Sequence, residues 1–136
     1  MTTELMMLTL TGLLAASLWI PYIVGVNTTP VEDPPDNRPH DPSKMIPWVH
    51  RAYRAHLNLL EQFMPFAVIV VVSHLVGVSN AVTAWASVAF LGLRLAHAVW
   101  MIGSFPVLPM RPIIFTAGWV CIVAIGAATL WAGTAA

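Results

Sequence analysis

Charge is what this chain has least of. Only 9% of its 136 residues are Asp, Glu, Lys or Arg and 58% are hydrophobic, whereas an ordinary soluble domain carries roughly 25% charged residues. A water-soluble globule does not fit that balance. Neither sign is in excess, since six basic residues offset six acidic ones, so nothing is available to hold a nucleic-acid backbone and there is no acidic tail. A single cysteine, Cys121, excludes an intramolecular disulfide framework and any CxxC or cysteine-rich metal site. No GxSxG, P-loop or Rossmann fingerprint occurs, and no pair among the histidines outside the helix cores (His40, His50, His56, His74) has the neighbouring acids or cysteines of a metal centre.

What is present is long apolar runs. Leu5 to Val26 and Pro112 to Ala136 are free of charge, Phe63 to Val78 likewise, and Ala81 to Ile102 is broken only by Arg94 and His97. About 20 residues suffice for one helical crossing of a bilayer. The expected architecture is therefore an all-α integral membrane bundle of four transmembrane helices in one domain, at about 4–26, 48–78, 81–102 and 111–134. Glu4 stands where a signal peptide would have its basic segment, so the first span is expected to be a permanent helix.

The connections are uneven. Residues 27–47 hold six of the eleven prolines and four of the six acids, the composition of an extended loop outside the bilayer. Val78-Ser79-Asn80 is so short a link that the second and third helices must be antiparallel neighbours. All six basic residues (Arg38, Lys44, Arg51, Arg54, Arg94 and Arg111) lie in or near the first and third loops, and none lies at the termini or the second turn. The positive-inside rule then puts loops one and three in the cytoplasm and both termini on the opposite side. The second helix, at about 31 residues or roughly 46 Å, exceeds a hydrocarbon core of about 30 Å, so its first turns stand at the cytoplasmic interface. Pro65 is expected to kink it.

Polar residues at membrane depth carry the functional information. Arg51, Arg54, Asn58 and Glu61 follow one another at offsets 0, 3, 7 and 10 and so share one face of the second helix. Arg94 and His97 lie three apart on the third, with Met101 one turn further on, and Arg111 opens the fourth. A charge facing acyl chains at the bilayer centre costs at least about 2.5 to 3.5 kcal/mol, so these groups are expected to line the bundle interior, a subunit interface or a wet cavity. Four arginines against one acid leave a cationic remainder, and the guanidinium fork suits carboxylates and phosphates. Blander readings stand beside this one. Arginines at helix ends also snorkel to lipid phosphates; Glu61 with Arg94 or Arg54 would make an ion pair that fixes packing, and Asn58 an interhelical hydrogen bond.

The string Arg51-Ala-Tyr-Arg54-Ala-His-Leu-Asn58-Leu-Leu-Glu61, followed by Phe63 and Pro65-Phe66, resembles the helix-two signature of the MAPEG family, the membrane-associated proteins of eicosanoid and glutathione metabolism. Arg94-Leu-Ala-His97 ahead of Arg111 is similar to that family's helix-three and helix-four pattern. The resemblance implies a four-helix bundle assembled as a homotrimer in the lipid bilayer, with a glutathione site at each subunit interface. It implies that Arg51, Arg54, Asn58, Glu61, Arg94 and His97 hold glutathione as bound co-substrate and that Arg111 stabilises its thiolate, with no metal. Three positions depart from the pattern: Met101 stands where many catalytic members have a tyrosine, Pro112 where some have a serine, and Leu57 where some have an arginine.

Two functions follow as expectations. One is a membrane glutathione-dependent transferase or peroxidase acting on a lipophilic small molecule. The other is a non-catalytic relative serving as membrane scaffold, lipid-binding protein or accessory subunit, which Met101 and Pro112 favour.

Overall fold

The computed structural model describes residues 1–29, 41–105 and 109–134. Residues 30–40 of the expected first loop, with Arg38 and His40, and residues 106–108 of the third lie outside these. The described chain is helical: α1 (Thr3–Ser17), α2 (Ile20–Thr28), a short 3-10 turn at Pro42–Lys44, α3 (Pro47–Leu75), α4 (Ala81–Gly103) and α5 (Met110–Thr134). Four helical stretches are long and apolar enough to cross a membrane, α1 and α2 together forming the first.

The two prolines within spans behave differently. The first span was expected to be one helix, but it breaks between Ser17 and Ile20, where Leu18 and Trp19 stay near helical angles (φ −72° and −73°). Pro21 has no N–H to give back to Ser17 and its ring crowds that carbonyl, so the helix must restart. Pro65 removes one backbone donor from α3, yet α3 runs through it without a break.

At the link between α3 and α4 the chain turns in a Schellman arrangement. Val78 N–H donates to the Ser73 carbonyl at 2.9 Å and Gly77 N–H to that of His74 at 3.1 Å. Gly77 takes φ +75°, a left-handed conformation that only glycine enters freely. Asn80 then opens α4 with a capping box, its side chain accepting from Val82 and Thr83 N–H while Thr83 Oγ1 accepts from Asn80 N–H. Directly on this turn lies Glu4. Its carboxylate accepts from Ser79 Oγ at 3.0 and 3.2 Å and from Thr83 Oγ1, tying the start of α1 to the start of α4.

Two apolar clusters fill the interior. In one, Phe66 of α3 stacks on Phe90 of α4 with centroids 4.0 Å apart, beside Val70, Ile122 and Ile125. In the other, Met101 packs with Ala15, Leu18, Ala55, Leu59 and Ala98, so Met101 is a core residue. Outside the bilayer, Asp41 accepts from Ser43 N–H and Oγ, and these bonds hold its carboxyl below the usual carboxylate range. The outer faces of α3 and α5 remain apolar and exposed, with Met64, Val68 and Val72 on one and Trp119, Val123 and Leu130 on the other, as expected of helices whose solvent is lipid.

Candidate functional site

The stripe predicted on α3 exists, but the bundle sorts its members. Asn58 is buried, Arg51 half-buried, and Arg54 and Glu61 exposed. On α4, Arg94 and His97 are each 2% exposed. Arg111, one residue into α5, is exposed.

Asn58, His97 and Arg111 come together. From three different helices they line one open cavity of about 450 Å3, whose other walls are Pro112, Phe115 and Thr116 of α5. The His97 ring lies 6.1 Å from that of Phe115 at 55°. Arg51, Arg54 and Glu61 are not among the walls of this cavity. Glu61 borders a second one, an open groove of about 630 Å3 between α3 and α5, whose walls include Ile69, Trp119, Ile122 and Val123. Phe115 belongs to both cavities, so a polar chamber and an apolar groove share one aromatic wall.

Arg94 lies behind the polar chamber rather than in its lining. Its Nη2 donates to the Ile114 carbonyl at 3.0 Å, and its guanidinium carbon sits 5.7 Å from the Phe90 centroid and 5.5 Å from that of Phe115, within range of cation–π attraction. Its Nε and Nη1 have no hydrogen-bond partner among the described residues. The ion pair with Glu61 that the sequence allowed is therefore absent within the chain: the acid is exposed and the guanidinium spends its one bond on a helix carbonyl. Arg51 Nε is likewise buried without a partner.

Sequence reasoning missed Gln62. It is 5% exposed, its Nε2 donates to the Phe115 carbonyl at 2.9 Å, and its Oε1 has no partner. An amide inside an otherwise apolar stretch was the available signal, since a polar group at that depth needs an internal partner. Gly118 was missed as well. A Cβ there would stand 2.6 Å from both Arg94 Nη2 and Gln62 Oε1, so the two polar side chains occupy the notch that glycine leaves in α5.

Comparison with known proteins decides the kinship. The model of the MAPEG family matches residues 6–131, nearly the whole chain. The chain belongs to the MAPEG family. It is therefore a membrane protein of the family concerned with glutathione and eicosanoid metabolism. No curated protein matches it. Of the seven positions to which the sequence resemblance gave a part in holding glutathione or its thiolate, three, Asn58, His97 and Arg111, share this cavity.

Proposed function

We propose that the protein is a glutathione-dependent membrane transferase or peroxidase acting on a lipophilic electrophile. The observation that carries this reading is the convergence of Asn58, His97 and Arg111 on one cavity that shares its Phe115 wall with an apolar groove. Glutathione is hydrophilic, with two carboxylates and an ammonium group, and its partner would arrive through lipid. A chamber with a fixed cation and amide and imidazole groups suits the first, and the groove suits the second. Arg111 beside the thiol would favour the thiolate, which is the nucleophile. That sulfur would bond to the electrophilic carbon as the leaving group departs, chloride in the case of a chlorodinitrobenzene.

The reading includes a homotrimer with the glutathione sites between subunits. Arg54 and Glu61 are exposed on a helix of membrane-spanning length, and facing lipid with such groups costs a few kcal/mol each at the bilayer centre. A neighbouring copy would cover them and bring Arg51, Arg54 and Glu61 to a shared site. Loops one and three face the cytoplasm in this reading, because every basic residue clusters there.

Purified protein in detergent should conjugate glutathione to a chlorodinitrobenzene-type electrophile or reduce a lipid hydroperoxide. Arg111→Ala should lower kcat by roughly 100-fold, the cost of one lost transition-state donor, with glutathione affinity changed far less. No turnover across a panel of electrophiles and hydroperoxides would overturn the reading.

One observation favours a second reading. Met101 is sealed in the apolar core and Pro112 lines the cavity without an N–H to donate, so two donors available to some relatives are missing. A non-catalytic scaffold or accessory subunit would bind a lipid head group in this chamber. A phospholipid retained there, with no melting shift at millimolar glutathione, would decide for it.

A further inference from the structure

The polar chamber rests on a second layer one helical turn deeper. Gln62 follows Asn58 by four residues on α3, Arg94 precedes His97 by three on α4, and Phe115 follows Arg111 by four on α5. In that deeper layer the three helices are tied together. Gln62 Nε2 donates to the Phe115 carbonyl at 2.9 Å and Arg94 Nη2 to the adjacent Ile114 carbonyl at 3.0 Å. Two successive carbonyls of α5 thus receive side-chain donors from two different helices, three and four residues after Arg111, one turn along the helix from the cation. The helix's own opening bond is loose by comparison, Ile113 N–H reaching the Pro109 carbonyl at 3.4 Å, and Pro112 has no N–H to contribute.

We propose that Gln62 is a positioning residue: with Arg94 it sets the height and rotation of α5, and so places the Arg111 guanidinium in the chamber of Asn58 and His97. The inference rests on the glutathione reading and assigns Gln62 a part in it. Packing alone would be served more cheaply by leucine or methionine, because the carboxamide is buried with its Oε1 unpartnered. Gly118 supports the same assignment from the other side. A Cβ there would meet both tie-forming side chains at 2.6 Å, so the tie in this arrangement needs a position without a side chain. Placement matters to the chemistry: a misplacement of about 1 Å from a remote mutation can cost on the order of 100-fold in rate.

The test compares the wild-type protein with Gln62→Met, which keeps the volume and removes the donor. Glutathione is titrated into each in detergent, and the thiolate absorption of the bound tripeptide is followed against pH. The expected result is a dissociation constant within about 3-fold of wild type. The pH midpoint of ionisation should rise by about one unit, a tenfold smaller thiolate fraction below both midpoints. Hydrogen exchange should quicken at residues 113–117 and stay unchanged at 120–134. An unshifted midpoint together with unchanged exchange would overturn the proposal. So would a midpoint that moves only in step with lost affinity. If wild type itself shows neither binding nor thiolate, the glutathione reading fails, and the exchange arm still decides whether Gln62 seats α5. Should Gln62→Met not fold, Gly118→Ala serves instead, since it wedges the same tie and should raise the midpoint likewise; a Gly118→Ala protein with wild-type midpoint and exchange also overturns the proposal.

Discussion

The two ends of the bundle each bury a charged side chain, and they treat it in opposite ways. Near the α3–α4 turn, Glu4 is 3% exposed, and its carboxylate accepts from Ser79 and Thr83, each supplied by a rigid turn or helix start. At the other end Arg94 is just as buried, but only Nη2 is bonded, while Nε, Nη1 and the nearby Gln62 Oε1 have no partner. Buried polar groups are nearly always satisfied in folded proteins. A satisfied one is explained by the fold that contains it; one without a partner on the chain leaves its hydrogen bond to water, a ligand or a neighbouring copy. The Glu4 end is accordingly read as a structural lock, and the Arg94 end as part of a functional site. That Phe66, Phe90, Ile122 and Ile125 between them are apolar packing makes the contrast one of ends rather than of helices.

The largest expected effect tests the Arg94 end through its neighbour. Gly118→Val places a branched side chain where even a Cβ lies 2.6 Å from Arg94 Nη2 and Gln62 Oε1, so those two side chains or α5 must give way; overpacking of this kind costs about 1–3 kcal/mol. Gly126→Ala, on the same helix, meets only Ile69 Cδ1 at 3.6 Å, an ordinary contact, and should raise stability slightly by favouring the helix. Thermal unfolding in detergent should therefore separate the two glycines by sign. Equal and small effects at both would mean that the tie at Arg94 is loose enough to move aside.

Next comes the lock. Glu4→Ala removes the acceptor of two hydroxyls and leaves those of Ser79 and Thr83 to find others, a loss of about 1–2 kcal/mol. Glu4→Gln retains one acceptor oxygen and should cost about half of that. Unfolding midpoints of the pair should fall in that order, with glutathione-dependent melting shifts the same as wild type, because the lock and the chamber lie at opposite ends of α4. A Glu4 variant of normal stability that lost its glutathione response would invert the comparison.

Much of this was legible in the chain, for physical reasons that differ by residue. The four spans could be read because lipid forbids charge over some 20 residues, and the face shared by Asn58 and its neighbours because helical periodicity is fixed. Which members of that face enter the cavity was not legible: helix rotation against α4 and α5 decides it, so Asn58 is buried while Arg54 and Glu61 are exposed. The break before Pro21 was visible in principle, whereas α3 runs unbroken through Pro65, which costs that helix one bond without ending it. Glu4 was weighed only as a non-basic residue near the N-terminus. Its role depends on contacts 75 and 79 residues away, which no local pattern encodes.

The smallest expected change in stability is at Arg94 itself. Arg94→Met removes a buried cation together with two donors that have no acceptor, and replacing a buried charge by an apolar side chain of similar size is often neutral or stabilising. The Ile114 carbonyl loses its side-chain donor but keeps its place in the α5 ladder, so no orphan is created there. The unfolding free energy should stay within about 1 kcal/mol of wild type, while the pH midpoint for ionisation of bound glutathione rises, since α5 and Arg111 lose half of their seat. A cost as large as that of Glu4→Ala would mean that ordered water satisfies Nε and Nη1. Arg94 would then be a lock of the same kind as Glu4, and the difference between the two ends would vanish.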